Sequence, residues 1–255
     1  MVYTVKPAIS IITVCLDCGK TIRDCLHSVK QQSIPVEHII IDGGSRDASL
    51  GIMREFAGDH LQLLSEPDDG IYHAMNKGVH RASGEIVGIL NSDDVYAAAD
   101  VIEAVAAVFE DISIEACYGD LCYVDPDDPT RVRRYWRAGD FHPERFYSGW
   151  MPPHPTFFVR RRVYENHGLF NPALGSAADY ELMLRFLLKH RVKTAYIPRT
   201  LVRMRSGGVS NASLKNRLAA NRMDRRAWRV NGLRPHPWTL WMKPLRKLGQ
   251  WVRRP

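Results

Sequence analysis

No apolar run in this 255-residue chain approaches the ~20 residues that a helix needs to cross a bilayer. A spanning helix is therefore not expected. The first apolar run, Ala8 to Leu16, has no basic stretch or small-residue cleavage site, and reads as a strand rather than a signal peptide. Cysteine is scarce and odd in number, with five residues. Cys15-Leu16-Asp17-Cys18 has the spacing of a redox or zinc pair, but no second CxxC follows it. Free thiols in a reducing cytosol are the expectation. Internal repeats are absent. The Gly-rich turn Asp42-Gly43-Gly44-Ser45 lacks the GxGxxG of dinucleotide-binding sheets, and no GxxxxGK[ST] phosphate loop occurs.

What the chain does have is a series of short apolar runs that stop on polar residues. The sharpest is Ile86-Val87-Gly88-Ile89-Leu90-Asn91-Ser92-Asp93-Asp94. An uninterrupted apolar run of this length suits a strand buried on both faces of a parallel sheet. Ligands of open α/β sheets bind beyond the carboxyl ends of the strands. Adjacent carboxylates at such an end invite a hard divalent cation, which prefers oxygen ligands. A solvated turn with an acidic helix cap would carry the same two residues.

Strands and helices alternate before and after that run. Ile9 to Val14 reads as a strand, and Lys20 to Gln32 as a helix with Ile22, Cys25, Leu26 and Val29 on one face. His38 to Ile41 and Leu61 to Leu64 read as strands. Asp47 to Phe56 and Tyr72 to Ala82 read as helices. Asp100 and Glu103 have capping-box spacing ahead of a stripe of Val101, Val105, Val108 and Phe109. Beyond Ala116 the pattern changes. Cys117 to Val124, Arg133 to Arg137, His154 to Val159 and Lys193 to Ile197 read as strands, Asp179 to His190 as a helix, and Arg203 to Gly208 as a mobile loop. The expected architecture is α/β, with a doubly wound, mostly parallel sheet. A smaller antiparallel subdomain and a helical tail follow it. We place the main domain over 1–211, with halves of about 1–115 and 116–211, and the tail over 212–255.

The charge is lopsided. Twelve of the 35 Lys and Arg but one of the 28 acids lie after residue 211, so the tail carries about +11 and the rest about −4. Four of six tryptophans, Trp228, Trp238, Trp241 and Trp251, lie among these cations. Trp among Lys and Arg suits a segment lying on an anionic leaflet. A solvated helix face or an oligomer contact fits the same composition. The acidic main body argues against nucleic acid.

In order and spacing, a set of motifs resembles family 2 glycosyltransferases of bacterial exopolysaccharide and O-antigen assembly, including the colanic acid type. The set is Thr13-Val14, Ile41 to Asp47, Ser65 to Tyr72, Asn76-Lys77-Gly78, Ser83-Gly84-Glu85 and Leu90 to Asp94. The resemblance spans roughly residues 8 to 210. It implies a GT-A fold, a nucleotide-sugar donor (UDP-sugar favoured, GDP-sugar possible), Mg2+ or Mn2+, and inversion at the anomeric carbon. It implies that Asp42 meets the nucleotide base, with Ser45, Asp69, Lys77 and Asn91 also on the donor side. Asn91-Ser92-Asp93-Asp94 stands at the DxD position with Asn first, so the metal ligands are Asp93, favoured as the direct and donor-side one, or Asp94. Ala178-Asp179-Tyr180-Glu181-Leu182 matches the Glu-Asp-x-x-Leu motif with Ala in place of Glu, which makes Asp179 the catalytic base.

The chemistry agrees independently. A diphosphate leaving group calls for a divalent cation, and inverting transfer calls for a carboxylate to deprotonate the acceptor hydroxyl. Residues two apart on a helix point about 200° apart, so Asp179 and Glu181 do not share a site. Glu181, Arg185 and Lys189 read instead as a solvated, ion-paired stripe. His154 and Arg205 are weaker candidates for the acceptor or phosphate side, Arg205 as part of a closing loop. The resemblance also implies a lipid-linked glycan acceptor and an enzyme attached peripherally to the cytoplasmic face of the bacterial inner membrane, with oligomers possible. A polyprenyl-phosphate sugar synthase and a non-catalytic nucleotide- or partner-binding member are the alternatives.

Overall fold

The computed structural model describes residues 9–58, 60–207 and 214–248, with side chains omitted for 214–220 and 244–248. β1 (Ile9–Cys15), β2 (Glu37–Asp42), β3 (Leu61–Ser65) and β4 (Ile86–Ile89) form the parallel half of one sheet, in the order β3-β2-β1-β4. Side chains alternate across it as the two-residue strand period requires. Ile12, Val14, Ile39 and Ile41 enter one hydrophobic core, while Ile9, Ile11 and Ile40 enter the other. Each fully buried Ile contributes about 1.5–3 kcal/mol relative to an exposed one. Burial on both faces explains why these strands are apolar throughout.

Helices cover both faces. α1 (Ile22–Lys30) and α2 (Ser49–Glu55) lie on one side, and α1 buries the stripe Ile22, Cys25, Leu26 and Val29. α3 (Ile71–Arg81) packs on the other side, over β1 and β2. Gly78 of α3 lies so close to β1 that an added Cβ would stand 2.4 Å from Ile12 Cγ2.

The sheet continues past β4 with mixed directions. β5 (Val95–Tyr96), β6 (Ala116–Val124), β7 (Val132–Trp136), β8 (Phe158–Arg160) and β9 (Thr194–Arg205) complete nine strands among the described residues. β8 runs antiparallel to both β4 and β6, β6 pairs in parallel with β9, and β7 hangs antiparallel on β6. The chain between β4 and β8 includes α4 (Val101–Val108). The capping box at its start does not form: Asp100 pairs instead with Arg199, and Glu103 accepts from Ser33. Two further expectations change here. His154–Thr156 is a 3-10 turn, with β8 starting only at Phe158. β9 runs through Arg203 and Arg205, so these residues stand in a strand and not in a loop; Gly208 lies outside the described residues.

α5 (Arg161–His167) leads to a 3-10 stretch at Pro172–Ala177 and then to α6 (Ala178–Met183), which continues as a wider π-type segment, Leu184–Lys189. The basic segment follows as α7 (Leu214–Val230) and α8 (Thr239–Leu248). α7 does not stand apart. Trp228 is fully buried, and its indole N–H donates to the Tyr180 hydroxyl at 2.9 Å. α8 crosses above Gly149, where φ is +77° and a Cβ would stand 2.6 Å from the Lys243 peptide nitrogen. Trp228 therefore belongs to the core, whereas Trp238 and Trp241 remain exposed and Trp251 lies outside the described residues.

Candidate active site

The carboxyl ends of β1, β2 and β4 meet along one edge of the parallel half. At the end of β2 the turn Asp42–Ser45 folds back on itself. Asp42 is fully buried, and its carboxylate accepts from the Gly44 N–H (3.2 Å), the Ser45 N–H (3.1 Å), the Ser65 hydroxyl (2.7 Å) and the Ser45 hydroxyl. Ser45 in turn accepts from the Asp17 N–H at 2.8 Å. Asp42 and Ser45, both expected on the donor side, thus fix the shape of this turn.

The neighbouring loop after β1 corrects the expectation of free thiols. Cys15 and Cys18 are joined by a disulfide, while Cys25, Cys117 and Cys122 are free and buried. The turn between them, with Asp17 at φ +49°, brings the two Cα atoms to 6.1 Å, within disulfide reach. This stapled loop is tied to the β2 turn by the Gly43 N–H on the Cys15 carbonyl (2.8 Å) and the Arg46 N–H on Asp17 (2.8 Å).

Asp69 is exposed on the loop before α3. Lys77, expected to approach the nucleotide, is bridged to Glu66 at 2.6 Å and to the buried Asp68 at 2.5 Å. Those two carboxylates hold its ammonium group charged and raise its pKa, with Asp68 contributing most.

The end of β4 carries the acid turn. The Asp94 N–H donates to the Asn91 carbonyl at 3.0 Å, and the Asn91 side-chain amide donates to Asp94 Oδ2 at 3.2 Å. Asp94 is fully buried, and Asp93 is half-buried beside it. Asp94 Oδ1 and Asn91 Oδ1 are buried without a hydrogen-bond partner. Burial first, and then the negative charge of Asp93, push the Asp94 carboxyl well above the usual carboxylate range. Unpaired buried oxygens next to a second carboxylate are costly unless something positive satisfies them. Among the described residues no three His, Cys, Asp or Glu side chains gather into a complete metal cage. Mg2+-type sites commonly use one or two carboxylates and complete the shell with water and substrate phosphates. The oxygens of Asn91, Asp93 and Asp94 fit that kind of divalent ion.

Asp179 sits in the first turn of α6, where its Oδ1 accepts from the Tyr180 N–H at 2.7 Å. Its other oxygen lies 3.4 Å from His154 Nδ1. The charges of Asp179 and Asp93 both reach the His154 ring. Burial lowers the His154 pKa, and the two carboxylates oppose that only in part. The Tyr72 hydroxyl also meets Asp179, and its ring packs on Phe170 at 5.6 Å. Sequence reasoning gave Tyr72 no role: it is in a quoted motif, but nothing local relates it to a residue 107 positions later. Glu181 points away, as the helix period requires, but it is buried rather than solvated. It pairs with Arg185 at 2.9 Å and accepts from the Asn231 amide at 3.1 Å.

Arg205 is buried at the end of β9. Its guanidinium donates to the carbonyls of Asp93 (2.8 Å) and Pro126 (3.0 Å) and to the Asp24 carboxylate (2.5 Å). It is not held on a loop free to close over a ligand.

The chain resembles several known proteins. A mycobacterial PGL/p-HBAD biosynthesis glycosyltransferase (Mycobacterium bovis) is 29% identical over 211 residues, covering 80% of each chain. The chondroitin synthase of Pasteurella multocida is 28% identical over 199 residues, 74% of this chain but 20% of that larger protein. Among solved structures, the mannosyltransferase PcManGT from Pyrobaculum calidifontis, in complex with GDP-Man and Mn2+, superposes with a TM-score of 0.64 at 18% identity, over 95% of this chain and 74% of that one. S. aureus TarS 1-349 in complex with UDP-GlcNAc gives 0.62 at 18% identity, over 96% and 78%. These structures establish the fold as GT-A. The family described as glycosyl transferase family 2 matches residues 10–174, most of the sheet and its acid turn. The chain belongs to glycosyl transferase family 2.

Proposed function

We propose that this glycosyltransferase is an inverting, metal-dependent enzyme that moves a sugar from a nucleotide-sugar donor to a lipid-linked glycan in surface polysaccharide assembly of the exopolysaccharide type. The observation that carries this reading is the acid turn after β4, where buried oxygens of Asn91 and Asp94 lack a hydrogen-bond partner beside Asp93, together with Asp179 3.4 Å from His154, a ring that the charge of Asp93 also reaches. In this reading a candidate base and a candidate phosphate-side acid serve one cleft. In this reading Asp93 and Asp94, with Asn91 beside them, hold Mg2+ or Mn2+. When bound, the ion offsets the charge that develops on the departing diphosphate. Asp179 takes the proton of the acceptor hydroxyl while that oxygen attacks the anomeric carbon from the face opposite the leaving nucleoside diphosphate. His154 and the Tyr72 hydroxyl both meet Asp179 and restrict its carboxylate.

UDP-sugars are the favoured donors, with GDP-sugars second. Structural neighbours bind both, UDP-GlcNAc in TarS and GDP-Man in PcManGT. A panel of UDP- and GDP-sugars, scored by thermal shift and slow donor hydrolysis with and without Mn2+, tests this. At least one donor should stabilise the protein only when Mn2+ is present. Stabilisation by no donor, or equal stabilisation in EDTA, contradicts the metal-dependent reading.

The acceptor's lipid places the work at a membrane, on the cytoplasmic face in this reading, with α8 as the contact. No described helix is long and apolar enough to cross a bilayer. Trp238 and Trp241 are 57% and 65% exposed, and Arg225, Arg226, Arg229 and Arg234 of the same basic segment are exposed as well. Each cation near an anionic leaflet contributes ~1 kcal/mol. Cosedimentation with anionic vesicles should exceed that with neutral vesicles and fall in high salt. Equal binding to both contradicts the membrane role.

A further inference from the structure

Arg205 joins three parts of the molecule that are distant in sequence. Nη1 donates to the peptide carbonyl of Asp93, Nη2 to the carboxylate of Asp24 on α1, and Nε to the carbonyl of Pro126 in the turn between β6 and β7. The residue is 7% exposed. The acid turn is held from its other side by the Asp94 N–H on the Asn91 carbonyl. The Asp93 peptide is thus clamped between its own turn and one guanidinium.

We propose that Arg205 is a positioning residue for the acid turn. It fixes the Asp93 peptide, and with it the directions in which the Asp93 and Asp94 carboxylates point, without touching the donor phosphates. The inference rests on the proposed metal role of those carboxylates. The geometry asks for arginine. Three acceptors lie in three directions, and a planar guanidinium reaches all of them, whereas an ammonium on a single nitrogen satisfies one at a time. The same charge partly offsets the buried Asp94 carboxylate. Asp24 sets the arginine from outside the cleft: it is half-exposed and belongs to α1.

The test compares wild type, Arg205→Ala, Arg205→Lys and Asp24→Asn by electron paramagnetic resonance of Mn2+ titrated with protein in the presence of UDP or GDP. Nucleotide binding in EDTA is measured in parallel. Loss of hydrogen bonds from a charged group should weaken Mn2+ binding roughly tenfold to a hundredfold in Arg205→Ala. Millimolar guanidinium should restore part of it, and Arg205→Lys should not recover wild-type affinity. Asp24→Asn should weaken Mn2+ binding by roughly twofold to fivefold, with kcat at saturating Mn2+ unchanged. Asp24→Asn keeps the question open to test if the Arg205 variants fail to fold. Unchanged Mn2+ affinity in Asp24→Asn and in a folded Arg205 variant overturns the positioning role. Weaker nucleotide binding in EDTA for Arg205→Ala overturns it too, because Arg205 would then contact phosphate itself. Failure of wild type to bind Mn2+ with either nucleotide sinks the metal reading instead, which separates the two failures.

Discussion

Glu181 and Asp179 are two positions apart on one helix and do different work. Glu181 is buried and bonded to Arg185 and Asn231. Removing one partner of such a pair typically costs about 3–5 kcal/mol. Glu181→Gln should therefore lower the unfolding free energy by that order in denaturant titrations, while kcat of the folded fraction stays near wild type. His38 makes a second residue-scale prediction. It is buried on β2, with Thr13 Oγ1 of neighbouring β1 at 2.9 Å, and burial pushes its pKa down to about 4. The unfolded ring binds its proton near pH 6.5, so between the two values the unfolded state holds more protons and stability rises with pH. Stability from this group is complete above about pH 6.5 and lost as pH falls toward 4, about 3 kcal/mol in all. His38→Gln should flatten that segment of the stability profile, read by chemical denaturation at each pH.

The elements of the parallel half were legible because burial on both faces leaves an uninterrupted apolar run, and because helices announce one buried face. The starts and ends of β1 to β4 and α1 to α3 fall within a few residues of where periodicity puts them. The second half was read less well for physical reasons. His154–Thr156 looks strand-like, but Pro155 and the Pro153 carbonyl turn it into a 3-10 bend. The capping-box pair before α4 was recruited by longer contacts to Arg199 and Ser33. The CxxC spacing reads as a redox or zinc pair with no second CxxC to support it, yet the turn after β1 joins Cys15 to Cys18 in a disulfide. Alkylation of denatured protein before and after reduction should count three thiols and then five. The basic segment reads as a tail apart from the main domain, since composition alone cannot reveal that Trp228 fills the core beside Tyr180 and Tyr147. Trp228→Ala should cost about 3–5 kcal/mol in denaturant unfolding. For the same reason a chain cut near Asn211 should lose stability rather than become a soluble, active core.

At the scale of the whole molecule, a sheet with a parallel half and a mixed half brings His154 to 3.4 Å from Asp179 and puts the same ring within reach of the charge of Asp93, three residues from distant stretches of the chain. The candidate acids were legible because they stand in local motifs at the end of β4 and the start of α6. Their surroundings were not: Tyr72, His154 and Arg205 gain their roles only from tertiary contacts. The central claim is that Asp179 acts on the acceptor and not on the donor. The most direct test is to measure donor binding and transfer separately in Asp179→Asn, which keeps shape but cannot accept the proton. Donor affinity in Mn2+ should stay within about twofold, while transfer falls by ~10²–10⁴. Transfer at the wild-type rate, or a loss of donor affinity that matches the loss of rate, would contradict the account.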